Sequence, residues 1–141
     1  MSISLDQARQ IVALTRTEAA RAGLKPMTVV VLDSGGYVIA AEREDESSNG
    51  RFEIAFGKAH GALALGMGSR SLMARAEAQP YFIAAATSAV GGALVPVPGG
   101  VLVRDGATLV GAVGVTGDTS DNDEAAAVAG IRAAGFVAQP D

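Results

Sequence analysis

Two apolar, β-branched stretches, each doubled back by a tight turn, decide what kind of sheet this chain can build. In the first, Met27–Leu32 meets Asp33-Ser34-Gly35-Gly36 and returns as Tyr37–Arg43. In the second, Val101–Arg104 meets Asp105-Gly106 and returns as Thr108–Thr116. Glycine supplies the positive φ that such short turns need, so each pair of strands is expected to be an antiparallel hairpin. Parallel neighbours would require a crossover of about a dozen residues or more, which neither turn can provide. The sheet is therefore antiparallel, with helices grouped apart from the strand pairs.

The helices are placed by spacing and by caps. Ser4-Leu5-Asp6-Gln7 reads as a capping box, in which Ser4 and Gln7 each satisfy the other's free amide. Leu5, Ala8, Ile11, Val12, Thr15, Ala19 and Ala22 follow at helical spacing until Gly23, with Pro26 beyond. That predicts an amphipathic helix of about five turns. Glu44–Gly50 is polar and acidic, an exposed loop. Arg51–Leu65 is a second helix, with Phe52, Ala55, Phe56, Ala59 and Leu63 as its apolar face. Gly66-Met67-Gly68 breaks it, and Ser69 caps a third helix through Ala78 that Pro80 ends. Tyr81–Ser88 is expected to give one or two helical turns, and Gly91-Gly92 opens a strand or loop around Leu94. The last helix, Asp121–Ala134, is capped from within Ser120–Asp123 and carries acid in its first turn, as the helix dipole favours. Gly135 stops it, and Phe136 is placed to fold back on it. The 141 residues are read as one α+β domain, 1–141.

Composition removes whole classes of function. With no cysteine there is no disulfide framework, thiolate zinc site, iron–sulfur cluster or cysteine nucleophile. One histidine, His60, excludes a His-rich metal site within a single chain, so no protein-bound structural metal is expected. A net charge of −4 argues against nucleic acid as a partner. The longest apolar run, Ala84–Val103, is interrupted by four glycines and two prolines, so no membrane span is expected. Acidic Asp6 precedes any apolar run, unlike a secretory leader, and the expected location is the cytoplasm.

Four segments, in order and at consistent spacing, resemble the GlcG/HbpS family of haem-binding or haem-degrading-domain-like proteins, which is related to the C-terminal domain of PduO-type cobalamin adenosyltransferases. They are Val29–Gly36, Ile54–Ala59, Val95–Gly100, and Gly111–Gly117 followed by Asp123-Glu124. The resemblance implies a profilin-like fold, an antiparallel sheet of about five strands with helices on both sides. It implies a homo-oligomer, often an octamer in this family. For function it implies a haem-binding or corrinoid-binding protein, although fold and family do not settle the chemistry. The chain departs from the family at Gly57, where many members carry Asn, and at His60, where many carry an aromatic residue.

These residues suggest where a ligand would sit. His60 reads as an axial haem ligand or a general base, or else as a helix histidine hydrogen-bonded at a surface. Lys58 reads as an anchor for a carboxylate such as a haem propionate, or as a solvated lysine. At 100° per residue the two lie about 200° apart around their helix, so one subunit cannot readily bring both to one pocket. Gly57, Gly61 and Ala64 form a small-residue stripe that suggests close packing of another element. The Pro96–Gly100 loop, with Pro98, Gly99 and Gly100, could present backbone amides to an anion or simply connect into its strand. Thr116 and Gly117 lead into a helix N-terminus, where Asp118, Asp121, Asp123 and Glu124 oppose an anion. No Gly-x-Ser-x-Gly elbow occurs, and Gly66-Met67-Gly68 follows a helix rather than a strand, so neither a serine hydrolase nor a dinucleotide site is indicated.

Three functional readings result, one of them a structural or regulatory accessory protein without a ligand; the other two bind a small molecule. The first is a small-molecule-binding protein that holds haem or a related tetrapyrrole near a subunit interface, with His60 on the metal and Lys58 or a loop amide on the carboxylates. The second is a cofactor-independent catabolic lyase, hydratase or isomerase. There His60 or an acidic residue would move a proton on an organic acid held by Lys58 or Arg51.

Overall fold

The computed structural model describes residues 1–141. Its strands are β1 (Thr28–Asp33), β2 (Val38–Arg43), β3 (Gly100–Asp105), β4 (Thr108–Thr116) and β5 (Val137–Gln139). They form one open sheet in the order β2-β1-β4-β3-β5, antiparallel throughout. The two hairpins predicted from sequence lie side by side. They join where β1 pairs with β4, Thr28 opposite Thr116 and Asp33 opposite Gly111.

Helices α1 (Leu5–Arg21) and α5 (Ser120–Ala133) pack against each other and cover one face. Helix α2 (Arg51–Leu65) covers the other. Outside it, α3 (Ser69–Ala78) packs against α2 and β3, and α4 (Pro80–Ala89) packs on α3. The result is the α+β arrangement of five strands with helices on both sides. No helix is long and apolar enough to cross a membrane.

Strand alternation sorts the core into two layers. Val29, Val31, Val101, Val103, Val113 and Val115 pack with Ile11, Val12 and Ile131 under α1 and α5. Val30, Leu32, Leu102 and Ala112 pack under α2. Both faces are covered, which is why β1 reads as an unbroken apolar run rather than an alternating one. Helix α1 opens on the capping box read from sequence, with Gln7 N–H donating to Ser4 Oγ at 3.2 Å and Ser4 N–H to Gln7 Oε1 at 2.9 Å.

The inner face of α2 differs from the sequence reading. Ala55, Ala59 and Ala62 face the sheet, while Phe52 is exposed and Phe56 half-buried. The cause lies in β4. A Cβ on Gly114 would collide with the Ala55 carbonyl oxygen, so the main chain of α2 rests on the strand with no room for large side chains. Two of the three residues of the small-residue stripe pack within the chain: Cβ atoms at Gly57 and Gly61 would lie 2.6 Å from Val95 Cγ2 and 2.9 Å from Leu94 Cγ, while Ala64 is exposed.

Three further differences have local causes. Pro80 begins α4 rather than merely ending α3, since its missing N–H costs nothing at the first helical position. The cap of α5 is Thr119, whose hydroxyl accepts from the Asn122 amide at 3.2 Å. The short strand β5 pairs with β3 from Leu102 to Arg104, where three residues were too few to register as a periodic segment.

Candidate functional site

Lys58 and Asp123 are both buried, each side chain 2% exposed. α2 and α5 lie on opposite faces of the sheet, and the pair joins them past the end of β4. The Lys58 ammonium donates to the Val115 carbonyl at 2.9 Å and to Asp123 Oδ2 at 3.2 Å. The Asp123 carboxylate also accepts from the amides of Gly117, at 3.3 Å, and Asp118, at 2.9 Å. Burial pushes the Lys58 ammonium below the usual lysine range, while Asp123 pulls the other way. Lys58 is therefore enclosed and committed to a partner in its own chain, rather than standing free as a carboxylate anchor. Sequence reasoning placed Asp123 in the first turn of its helix but not against Lys58. The two are 65 positions apart, and no spacing rule links them.

The glycine loop closes over this pair. Pro98, Gly99 and Gly100 are buried. Gly99 has φ +123°, and a Cβ there would lie 2.6 Å from the Val115 carbonyl oxygen and 2.9 Å from Lys58 Nζ. The Gly100 amide, read as a possible anion donor, instead donates to Ser69 Oγ at 2.7 Å. The loop is packing material for the ion pair.

Arg51 stands on the same side of α2 as Lys58, seven residues away and thus about 20° from alignment. Its Nη1 donates to Thr116 Oγ1 at 2.9 Å and its Nε to Ser48 Oγ at 3.2 Å. The structure so gathers Arg51, Lys58, Thr116 and the Pro98–Gly100 loop at one end of the sheet.

His60 lies elsewhere, as the 200° separation predicts. It ends an aromatic stripe along the outer side of α2: Phe52 stacks on Phe56 at 6.1 Å and Phe56 on His60 at 5.3 Å, with interplanar angles of 16° and 22°. His60 Nδ1 lies 2.8 Å from the Ala93 carbonyl oxygen. A carbonyl only accepts, so Nδ1 carries a proton, and in the neutral ring the lone pair is then on Nε2. Gly36, in the β1–β2 turn, sits against the ring, where a Cβ would be 3.4 Å from Cδ2. Beside the stripe the α2 side of β2 is uncovered, leaving Val38, Ala41 and Arg43 exposed. Aromatic residues at 52 and 56 were visible in the sequence. The exposure of Phe52 was not, because it follows from a glycine of a distant strand, Gly114.

The acids at the start of α5 are each occupied. Arg70 holds Asp121 at 2.5 Å and Glu124 at 3.0 Å. Asp118 accepts from the Lys25 amide at 2.9 Å, from Asn122 Nδ2 at 2.8 Å and from the Thr119 amide at 2.8 Å. These donors hold its pKa down to about 2, from an ordinary 3.8. Between those values the unfolded chain binds more protons than the folded one, so stability rises with pH there. This contribution is present above about pH 4 and is lost as pH falls through about 2. Asp118→Asn is expected to flatten that part of the profile in urea midpoints recorded from about pH 5 down to about pH 2. Profiles of equal slope for the two proteins would remove Asp118 from the acid response.

Comparison with known proteins sets this geometry in context. The family model described as haem degrading protein, HbpS-like, matches residues 3–132. No curated protein matches the chain by sequence. The fold is similar to that of a PduOC:haem complex, at 22% identity and a TM-score of 0.85, over 96% of this chain and 97% of that one. It is also similar to the protein ORFY of Klebsiella pneumoniae, at 25% identity and a TM-score of 0.84, over 94% and 90% of the two chains. A double mutant of Streptomyces reticuli HbpS matches at 23% identity and a TM-score of 0.81, over 94% and 87%.

Proposed function

The chain belongs to the HbpS-like family of haem-degrading proteins, and from that premise we propose that it binds haem or a related tetrapyrrole, with His60 Nε2 as the axial donor. The observation that carries this reading is the hydrogen bond from Nδ1 to the Ala93 carbonyl. It fixes the tautomer and orients the ring, the usual outer support of a metal-binding imidazole. Phe52, Phe56 and Val38 offer apolar contact for a flat ring. Arg43, exposed on the same side of β2, takes over from Lys58 as the basic residue for the acid groups. Haem held there would supply an iron centre for redox and ligand chemistry, and the chain would supply the donor nitrogen and the apolar surface.

None of the clefts in the single chain is lined by His60. In the single chain Phe52 is exposed and Phe56 and His60 are half-buried, and the reading includes a second copy that covers the stripe in a homo-oligomer, an octamer by resemblance to the family. The alternative, proton transfer by His60 on an acid held by Arg51, is disfavoured within one chain. The two residues are nine positions apart on α2, about half a turn out of phase.

The test is a haemin titration of wild type and His60→Ala, read at the Soret band. Wild type is expected to give a saturable, red-shifted band, and His60→Ala to bind at least about tenfold more weakly, with imidazole restoring the spectrum. Equal saturable binding by both proteins would move the site away from His60. No saturable binding by wild type would overturn the haem reading.

A further inference from the structure

We propose that the cleft beside Arg51 binds a small anion bearing a carboxylate or phosphate group, at a site separate from the His60 stripe. The cleft has a volume of about 240 Å³ and lies between the Lys25-Pro26 turn, the loop before α2 and Gly117. Lys25, Glu46, Ser47, Ser48 and Arg51 line it.

The charge balance of these walls carries the inference. Arg51 is half-buried, yet both of its hydrogen bonds go to neutral hydroxyls, Thr116 and Ser48. Arg16, Arg21 and Arg70 each meet at least one carboxylate; Arg43 and Arg104, like Arg51, bond only to neutral groups, and of these three Arg51 alone lines a cleft. A guanidinium has five donors in a planar fork suited to an oxyanion, and two of the five are used here. The Lys25 ammonium has no hydrogen-bond or ion-pair partner. Glu44 is held by Arg16 and the Met27 amide. Asp118 accepts from three neutral donors and keeps its charge, which acts on the Lys25 ammonium from outside the cleft lining. Glu46, with φ +69°, is the one acid on the wall, so two cations face a single carboxylate.

The walls add neutral hydroxyls, those of Ser47 and Ser48. Thr116, 1% exposed, lies behind Arg51 and positions its guanidinium by accepting from Nη1. Ser47 and Thr28 share a hydrogen bond at 3.1 Å, in which only one of the two protons is used. Positive fork, ammonium and hydroxyls thus converge on a space of metabolite size. His60 is about 13 Å away along the α2 axis and on its other side, so the site does not rest on haem binding.

The test uses the full chain, followed by amide NMR during separate titrations with inorganic phosphate and with succinate at constant ionic strength. At least one probe is expected to give saturable shifts centred on Ser47, Ser48 and Gly117, and the preferred probe identifies the anionic group. Lys25→Gln, which removes no internal contact, is expected to weaken binding about tenfold. Arg51→Gln is expected to weaken it further, and Glu46→Gln to tighten it by removing the opposing charge. His60→Ala is expected to leave it unchanged, which separates this site from the haem reading. The proposal is overturned by unsaturable shifts with both probes, by equal affinity in wild type and Lys25→Gln, or by weaker binding in Glu46→Gln.

Discussion

Lys58→Met is expected to lower the unfolding free energy by about 3–5 kcal/mol, the usual effect of removing one partner from a buried ion pair. Asp123 would be left with a charge, 2% side-chain exposure and only two backbone amides to hold it. Lys58→Met combined with Asp123→Asn is expected to be more stable than Lys58→Met alone. The amide oxygen of asparagine still accepts from the loop, and no unpaired charge remains. Urea unfolding of the two single variants and the double variant measures the coupling. Should Lys58→Met lie within about 1 kcal/mol of wild type, the ammonium would not be structural, and its role as a ligand anchor would be open again.

Gly114→Ala is expected to cost about 3 kcal/mol, the upper part of the range for overpacking. The new methyl group would meet the Ala55 carbonyl, which is main chain and cannot rotate away, so α2 has to shift as a body. Gly50→Ala is the control. A Cβ there meets nothing within 4 Å, and the effect is expected to stay within about 0.5 kcal/mol. Thermal or urea unfolding distinguishes the two. Equal stability of both variants would show that the helix can lift from the strand at little cost.

Much of the fold was legible because its signals are local. Asp-Gly turns, the Ser4–Gln7 box and the 3.6-residue rhythm of α1 each operate within a few residues. The face of α2 was not. Phe52 and Phe56 look like core by periodicity, yet Phe52 is exposed and Phe56 only half-buried at the core's edge, because α2 rests its main chain on Gly114, about sixty positions away. The site divides the same way. Arg51, Lys58, Thr116 and the glycine loop were singled out one by one, and the structure brings them together. Their chemistry depends on partners that only the fold supplies: Asp123 for Lys58, Thr116 and Ser48 for Arg51, Ala93 for His60.

The central joint of the sheet, β1 against β4, pairs Thr28 with Thr116. Everything between β2 and β3 is thus a single excursion that leaves the sheet and returns to it. The entropy of closing such an excursion grows only with the logarithm of its length, about 0.6 kcal/mol for each doubling. α2 is pinned to the strands by main-chain contact, but α4 rests on α3. α3 is tied to β3 by Ser69 and to α5 by Arg70, so it is insertions or deletions in α4 that would barely register in the pairing of the strands. The architecture separates a part that fixes shape from one peripheral helix, α4, whose length the strand pairing does not set.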